Sequence, residues 1–196
     1  MGRNPHYDRD GLLDTARALA VDGGPAAVTM AAVARRSGAP SGSVYHRFPD
    51  RPALLAALWL RSVTRFQSGF VTVIESEPGR DGLVAAARHV VSWCRANPPD
   101  ATVLLWGAES FGREDWAAAD REALESANAR TFAAVHEAAR QMGATDDEEV
   151  EFAELAVVGV PYAIVRRRLR NDAGLPERAE EMAAEAARAL LDRLSP

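Results

Sequence analysis

The segment from Thr29 to Arg51, TMAAVARRSGAPSGSVYHRFPDR, gathers most of the side chains in this sequence that could do chemistry together. Ser41, Ser43, Tyr45, His46 and Arg47 lie close together, interrupted only by Gly42 and Val44, and supply hydroxyl, imidazole and guanidinium groups. Side chains of this kind hold phosphate oxygens, as do helix N-termini. Thr29, Ser41, Tyr45 and Arg51 are therefore expected to position a phosphate backbone, with Gly42 letting the main chain approach it. Arg47 or His46 could read base edges, arginine being the commoner reader of guanine.

Local signals place these groups. Thr29 is set to cap a helix over Met30 to Ser37, its hydroxyl accepting a free first-turn amide. Gly38 stops that helix, since glycine tolerates the left-handed conformation found at helix ends. A third helix, about Ser41 to Phe48, follows within three residues. A helix, a glycine turn and a second short helix form a helix-turn-helix, whose second helix can enter a major groove. Ala31, Ala34 and Gly38 are small enough for close crossing, and Val33, Val44 and Phe48 supply apolar contact. Asp50 is placed to cap a fourth helix from Arg51 to about Ile74, with Pro52 in its first turn. A first helix, about Asp8 to Asp22, shows an apolar face of Leu12, Leu13, Ala16, Leu19 and Ala20 and ends at Gly23 and Gly24.

The charge of the whole chain argues against a polyanionic partner: 196 residues carry a formal net charge of -5. The average hides an asymmetry. Residues 1 to 65 hold 9 arginines and 5 acids, net +4, whereas residues 66 to 196 hold 14 arginines and 23 acids, net -9. The end that carries the helix-turn-helix is basic, which favours docking of DNA at that end only.

Beyond the fourth helix, a helical period continues over about 81 to 96, 99 to 107, 114 to 142, 146 to 170 and 177 to 194, with no sustained strand alternation. The chain reads as all-α, a three-helix DNA-binding domain over 1–50 followed by a larger helical domain over 51–196, with 51–75 as the connecting helix. The helix at 146–170 opens on Asp146, Asp147, Glu148 and Glu149 and closes on Arg166, Arg167, Arg168 and Arg170, complementing its dipole. Pro161 removes a rung of its ladder at the carbonyl of Val157 and should kink it. Cys94, the one cysteine, excludes an intramolecular disulfide, and a reducing cytoplasm is the simplest compartment. The longest uncharged apolar stretch, Leu155 to Val165, is about half the ~20 residues of a membrane span, so no membrane partner is expected. Gly-rich phosphate loop, nucleophile elbow and metal quartet are all missing, so neither an enzyme nor a cofactor is expected. His89 and Cys94, five apart, do not share a helix face and are not expected to bind metal.

Leu19, Gly23, Thr29, Val33, Ala34, Gly38, Gly42, Ser43, Val44, Tyr45, Phe48 and Arg51 occur in an order that resembles the DNA-binding domain of the TetR (TetR/AcrR) family of bacterial transcriptional regulators. The resemblance covers roughly the first 60 residues. It implies an all-α homodimer, with a C-terminal domain that binds a small-molecule effector and dimerises through its last two long helices, here near 146–170 and 177–194. It places Tyr45 and Arg51 at the family's phosphate-contacting positions, Thr29 at the contact opening the second helix, and Ser41, Ser43, His46 and Arg47 on the recognition surface. The implied function is a ligand-responsive regulator, a repressor released from a palindromic operator by a small molecule. A helical ligand-binding or adaptor protein without DNA binding is the alternative. Pro40 stands where many members have a Ser or Thr cap, which leaves Ser41 to begin the third helix, and Arg51 replaces the usual lysine.

Effector pockets are concave and mostly apolar with few polar groups. Phe66, Phe70, Trp93, Trp106, Phe111, Trp116 and Tyr162 are the aromatic candidates for such a wall, Trp106, Phe111 and Trp116 being preferred because they flank Gly107 and Gly112. His89, Glu109 and His136 are candidate polar groups. In the final helix Ala179, Met182, Ala183, Ala186, Ala189 and Leu190 form a small-residue face suited to close packing across a two-fold axis.

Overall fold

The computed structural model of the chain describes residues 8–169 and 174–194. Helices α1 (Arg9–Gly23), α2 (Met30–Ser37), α3 (Ser41–Arg47) and α4 (Arg51–Ser76) are followed by α5 (Gly79–Ala96), α6 (Pro98–Leu105) and α7 (Gly107–Ser110). The long α8 (Ala118–Gln141), then α9 (Asp147–Glu154), α10 (Val160–Leu169) and α11 (Ala179–Leu191) complete the order. No strand occurs among the described residues. No helix among them is long and apolar enough to cross a membrane.

The caps explain where the first helices start. The Asp8 carboxylate accepts from Gly11 N at 2.8 Å, the Thr29 hydroxyl from Ala32 N at 3.1 Å, and the Asp50 carboxylate from Ala53 N at 2.8 Å. Each satisfies an amide that has no partner within its helix. Gly38 takes φ 71° and ψ 11° at the end of α2. Pro40, not Ser41, occupies the cap position of α3, and no side chain caps that helix. The backbone substitutes, Ser43 N donating to the Pro40 carbonyl at 2.8 Å.

The chain divides into two compact units, and none of the three boundaries falls at residue 50. The first takes residues up to Val63 together with Pro99–Glu125; the second takes Thr64–Pro98 and the chain from Ser126 onward. In the first unit α1 buries Leu12, Leu13, Ala16 and Ala20 against Met30, Val33 and Ala34 of α2, Val44, Phe48, and Leu54, Leu55 and Leu58 of α4. Ala31 is exposed; Ala32 and Ala34 take the close-packed positions instead. Val103, Ala108, Phe111, Trp116 and Leu124 belong to the same core. Segment 99–125 therefore completes the N-terminal core rather than the C-terminal domain.

A buried carboxylate fixes α6 there. Asp100, 2% exposed, pairs with Arg17 of α1 and accepts from the Ser62 hydroxyl of α4 at 2.7 Å. Arg61 on α4 reaches Asp14 of α1 at 2.9 Å. Trp59 and Trp116 lie 6.1 Å apart at 50°, and the Trp116 indole donates to the Phe111 carbonyl at 2.9 Å. Such buried polar contacts fix orientation where apolar packing alone would tolerate sliding.

In the second unit α11 lies along α5. Ala179, Ala183, Ala184, Ala187 and Leu191 are fully buried, and α5 buries Leu83, Ala86, Ala87, Val90 and Val91. Small side chains permit that close approach. Arg80 pairs with Asp192, Arg88 with Glu181 at 2.7 Å and Arg95 with Glu180 at 2.8 Å, tying α5 to the C-terminal helical segment along its length. The small-residue face of the last helix thus splits: Ala179 and Ala183 are buried within the chain, while Met182 is 46% exposed.

The expected single helix over 146–170 contains a π-helical turn, Leu155–Gly159, just before Pro161. Val160 N donates to the Leu155 carbonyl, five residues back. The turn absorbs the rung that proline cannot supply. A Cβ on Gly159 would come within 2.7 Å of Leu155 Cδ1, the end of an exposed side chain with room to turn away. Arg170 of the expected basic end lies outside the described residues, as does the side chain of Arg168.

Candidate nucleic-acid interface

The face of α3 turned away from the core carries the expected surface. Only Val44 of α3 is buried; Tyr45 is 55% exposed, Ser41, Gly42 and His46 are exposed, and Ser43 and Arg47 are half-buried. Arg47 donates one N–H to the Ser43 carbonyl at 3.1 Å, which lays its side chain along the helix. A Cβ on Gly42 would meet nothing within 4 Å. Packing within the chain therefore gives no reason for glycine there, whereas close approach of a second molecule does.

Thr29 and Arg51 meet at the start of α2, in a different way from that expected of two free phosphate ligands. Arg51 Nε donates to the Val28 carbonyl at 2.8 Å, and its Nη2 to the Pro25 carbonyl at 2.9 Å. The guanidinium braces α4 against the Pro25–Ala27 turn that leads into Thr29, with Nη1 bonded to neither. The Thr29 hydroxyl is engaged as a cap. Both residues are thus engaged within the chain around the start of α2.

Arg9 joins the site without a motif to announce it. Its guanidinium lies 5.3 Å from the centre of the Phe48 ring, at the C-terminus of α3, a cation–π arrangement that sets a positive charge beside the recognition helix. The two residues stand far apart in the chain, so no local pattern links them. Arg35 and Arg36, in the last turn of α2, are exposed, and Arg36 pairs with Asp22.

The seven aromatic candidates for an effector wall do not come together. Phe111 and Trp116 are core residues of the N-terminal unit, 0% and 2% exposed, so they cannot line a pocket in the C-terminal one. Trp106, half-exposed in the same unit, lies against Gly24, its ring 3.2 Å from where a Cβ would stand. Phe66, Phe70 and Trp93 do meet in the second unit, with Phe66 5.6 Å from Phe70 and 5.3 Å from Trp93. They pack on each other and on His89 between α4 and α5. Tyr162 is 40% exposed on α10. Burial among these rings pushes the His89 pKa below 6.5, and a hydrogen bond with the Phe66 backbone partly opposes this. Of the remaining polar candidates, Glu109 is exposed and His136 is engaged by Glu154. Burial drives the Cys94 thiol up to about 12, which keeps it protonated and unreactive. No cluster of three metal-ligating side chains occurs among the described residues.

Residues 12–58 match the model of the bacterial regulatory proteins of the tetR family. This segment carries the N-terminal domain of that family. The match covers α1 to α3 and the first turns of α4, including the exposed α3 face, so this is a DNA-binding helix-turn-helix of a transcription regulator. Solved structures extend the likeness, in fold alone, to nearly the whole chain. A TetR family transcriptional regulator, PfmR from Thermus thermophilus, is 16% identical with a TM-score of 0.72, covering 94% of this chain and 95% of its own. The transcriptional regulator FadR from Bacillus subtilis, in complex with stearoyl-CoA, is 13% identical with a TM-score of 0.69 over 92% and 96%. The ketosteroid transcriptional regulator KstR2 of Mycobacterium tuberculosis is 14% identical with a TM-score of 0.65 over 100% and 97%. No curated protein sequence matches the chain.

Proposed function

We propose that this chain is a TetR-family repressor that binds a palindromic operator as a homodimer and leaves it when a small molecule occupies the second unit. The observation that carries the reading is the α3 face: five donor-bearing side chains around a glycine whose Cβ would touch nothing in the chain. In a dimer the two α3 helices would enter successive major grooves about 34 Å apart. Thr29, Ser41, Tyr45 and Arg51 would hold phosphates, Gly42 would admit the backbone, and Ser43, His46 and Arg47 would face base edges. Arg9 would add a phosphate contact at the far end of α3.

Exposed Leu155, Tyr162 and Met182 on the last helices offer the apolar surface that a two-fold contact would cover. Helix α4 runs without interruption from the first unit into the second, so an effector that favours one position of α4 would change the spacing of the α3 helices. The structure of FadR with stearoyl-CoA supports a small-molecule effector as the class of signal.

The test is selection of binding sequences from random duplexes, then titration of the selected duplex with candidate effectors. A palindromic site released by a ligand is the expected result. Failure to enrich any sequence would favour a helical adaptor without DNA binding.

A further inference from the structure

Two hollows in the second unit join along the same pair of helices. The larger, about 710 Å³, lies between the C-terminal half of α4 and the C-terminal half of α8, walled by Val71, Ile74, Ala134 and Ala138. The smaller, about 240 Å³, continues it toward Gln67 and Thr131. Val71 and Arg130 line both. From Gln67 to Glu75 the groove follows roughly 12 Å of helix at 1.5 Å per residue. Its combined size is that of a site for a small organic molecule.

The polar groups along the groove select the ligand's chemistry. Glu75, Glu77 and Glu137 stand at its wide end, against one cation among the described residues, Arg130. At the narrow end Gln67 is 9% exposed, and its Nε2 donates to Asn128 Oδ1 at 2.8 Å. Its buried Oε1 has no partner among the described residues. A buried acceptor left unmade is costly, and a donor that reached it would recover that cost. Three carboxylates, with an unpaired acceptor buried beside the narrow end, favour a molecule whose polar groups donate hydrogen bonds and carry positive charge. They disfavour a carboxylate or a phosphate, whose lone pairs would face other lone pairs.

We infer that the α4–α8 groove binds an elongated organic cation, its apolar body between Val71, Ile74, Ala134 and Ala138 and its protonated nitrogen at the Glu75, Glu77 and Glu137 rim. The inference rests on the reading of this chain as a ligand-responsive regulator and gives the effector a site and a charge. It places the site apart from the Phe66, Phe70 and Trp93 cluster, none of which lines the groove.

Calorimetric titration of the full chain, without DNA, tests it with three probes sharing one apolar body: decylamine, decanoate and decanol. Decylamine should bind at least about tenfold more tightly than either other probe. Glu137→Gln, at an exposed rim position, should narrow that preference several-fold, and Ala134→Trp should fill the groove and abolish binding. Equal affinity for the three probes, tighter binding of decanoate through Arg130, or no binding of decylamine would each overturn the inference, as would unchanged binding by folded Ala134→Trp and Glu137→Gln. A parallel duplex titration separates the two readings. Decylamine that binds without altering DNA affinity supports the groove and overturns the regulatory reading. A protein that binds duplex yet ignores decylamine overturns the groove alone.

Discussion

Arg51 braces the fold at the edge of the proposed DNA-binding face. Its two hydrogen bonds to the Val28 and Pro25 carbonyls are charge-assisted, so Arg51→Ala should cost about 1–2 kcal/mol of stability as well as weakening DNA binding. Tyr45→Phe, which removes a hydroxyl from a half-exposed ring, should weaken DNA binding and leave the melting temperature unchanged. Comparing the two by thermal melting and duplex titration separates bracing from contact. Gly42→Ala should do the opposite of most substitutions. Replacing glycine within a helix stabilises by roughly 0.5–1 kcal/mol, while the added Cβ would point into open space on the proposed DNA-binding face and should reduce affinity. A variant that melts higher and binds as well as the parent would show that Gly42 has no part in the interface. Thr29 and Asp50 are readable as caps because the partner amide lies three residues ahead. The partners of Arg51 lie 23 and 26 residues back, and the ring under Arg9 lies at Phe48, so neither arrangement leaves a periodic trace in the sequence.

Among the elements, α6 departs furthest from the sequence reading. A helix over 99–107 is visible from periodicity, but its place in the N-terminal unit depends on Asp100, whose partners sit on α1 and α4. An aspartate in the first turn of a helix ordinarily signals dipole complementation, and nothing local separates that from a buried ion pair. Asp100→Ala should leave Arg17 only its 3.4 Å contact with Asp14, strip the buried Ser62 hydroxyl of its acceptor, and cost about 2–4 kcal/mol by denaturant unfolding, whereas an exposed carboxylate would cost under about 1 kcal/mol. The π-helical turn before Pro161 is half legible: proline announces a broken rung, but the backbone inserts a residue where a simple kink is expected. The aromatic candidates mislead for a related reason, since glycines beside Trp106, Phe111 and Trp116 suggest an open loop, yet Phe111 and Trp116 are buried. Between α4 and α5, His89 predicts an acid response. Its folded pKa lies below the ordinary 6.5, so the unfolded chain binds more protons, and the contribution is fully present above 6.5 and lost as pH falls through the folded value. Thermal melting across that window should show a decline that His89→Gln flattens; an unaltered decline would assign it to other groups.

For the whole molecule, the net charge of -5 conceals a basic N-terminal end and an acidic remainder. That division, with the order of residues from Leu19 to Arg51, makes the helix-turn-helix legible in the sequence alone. The sharing of 99–125 with the N-terminal core is not legible there, because long-range packing decides it. If the last helices pair across a two-fold axis, Tyr162→Glu and Met182→Glu placed together should shift sedimentation from dimer to monomer and abolish binding to a two-site duplex.

The most direct measurement of the central claim is anisotropy titration of a labelled duplex from the region upstream of this protein's own coding sequence, over a salt range of about 50 to 200 mM. A dimer with six or more phosphate contacts should lose roughly 10³-fold or more in affinity over that range, and Tyr45→Phe should bind more weakly throughout. Salt-independent binding, no binding to this or any selected palindrome, or full affinity in Tyr45→Phe and Gly42→Ala alike would contradict an interface built on α3.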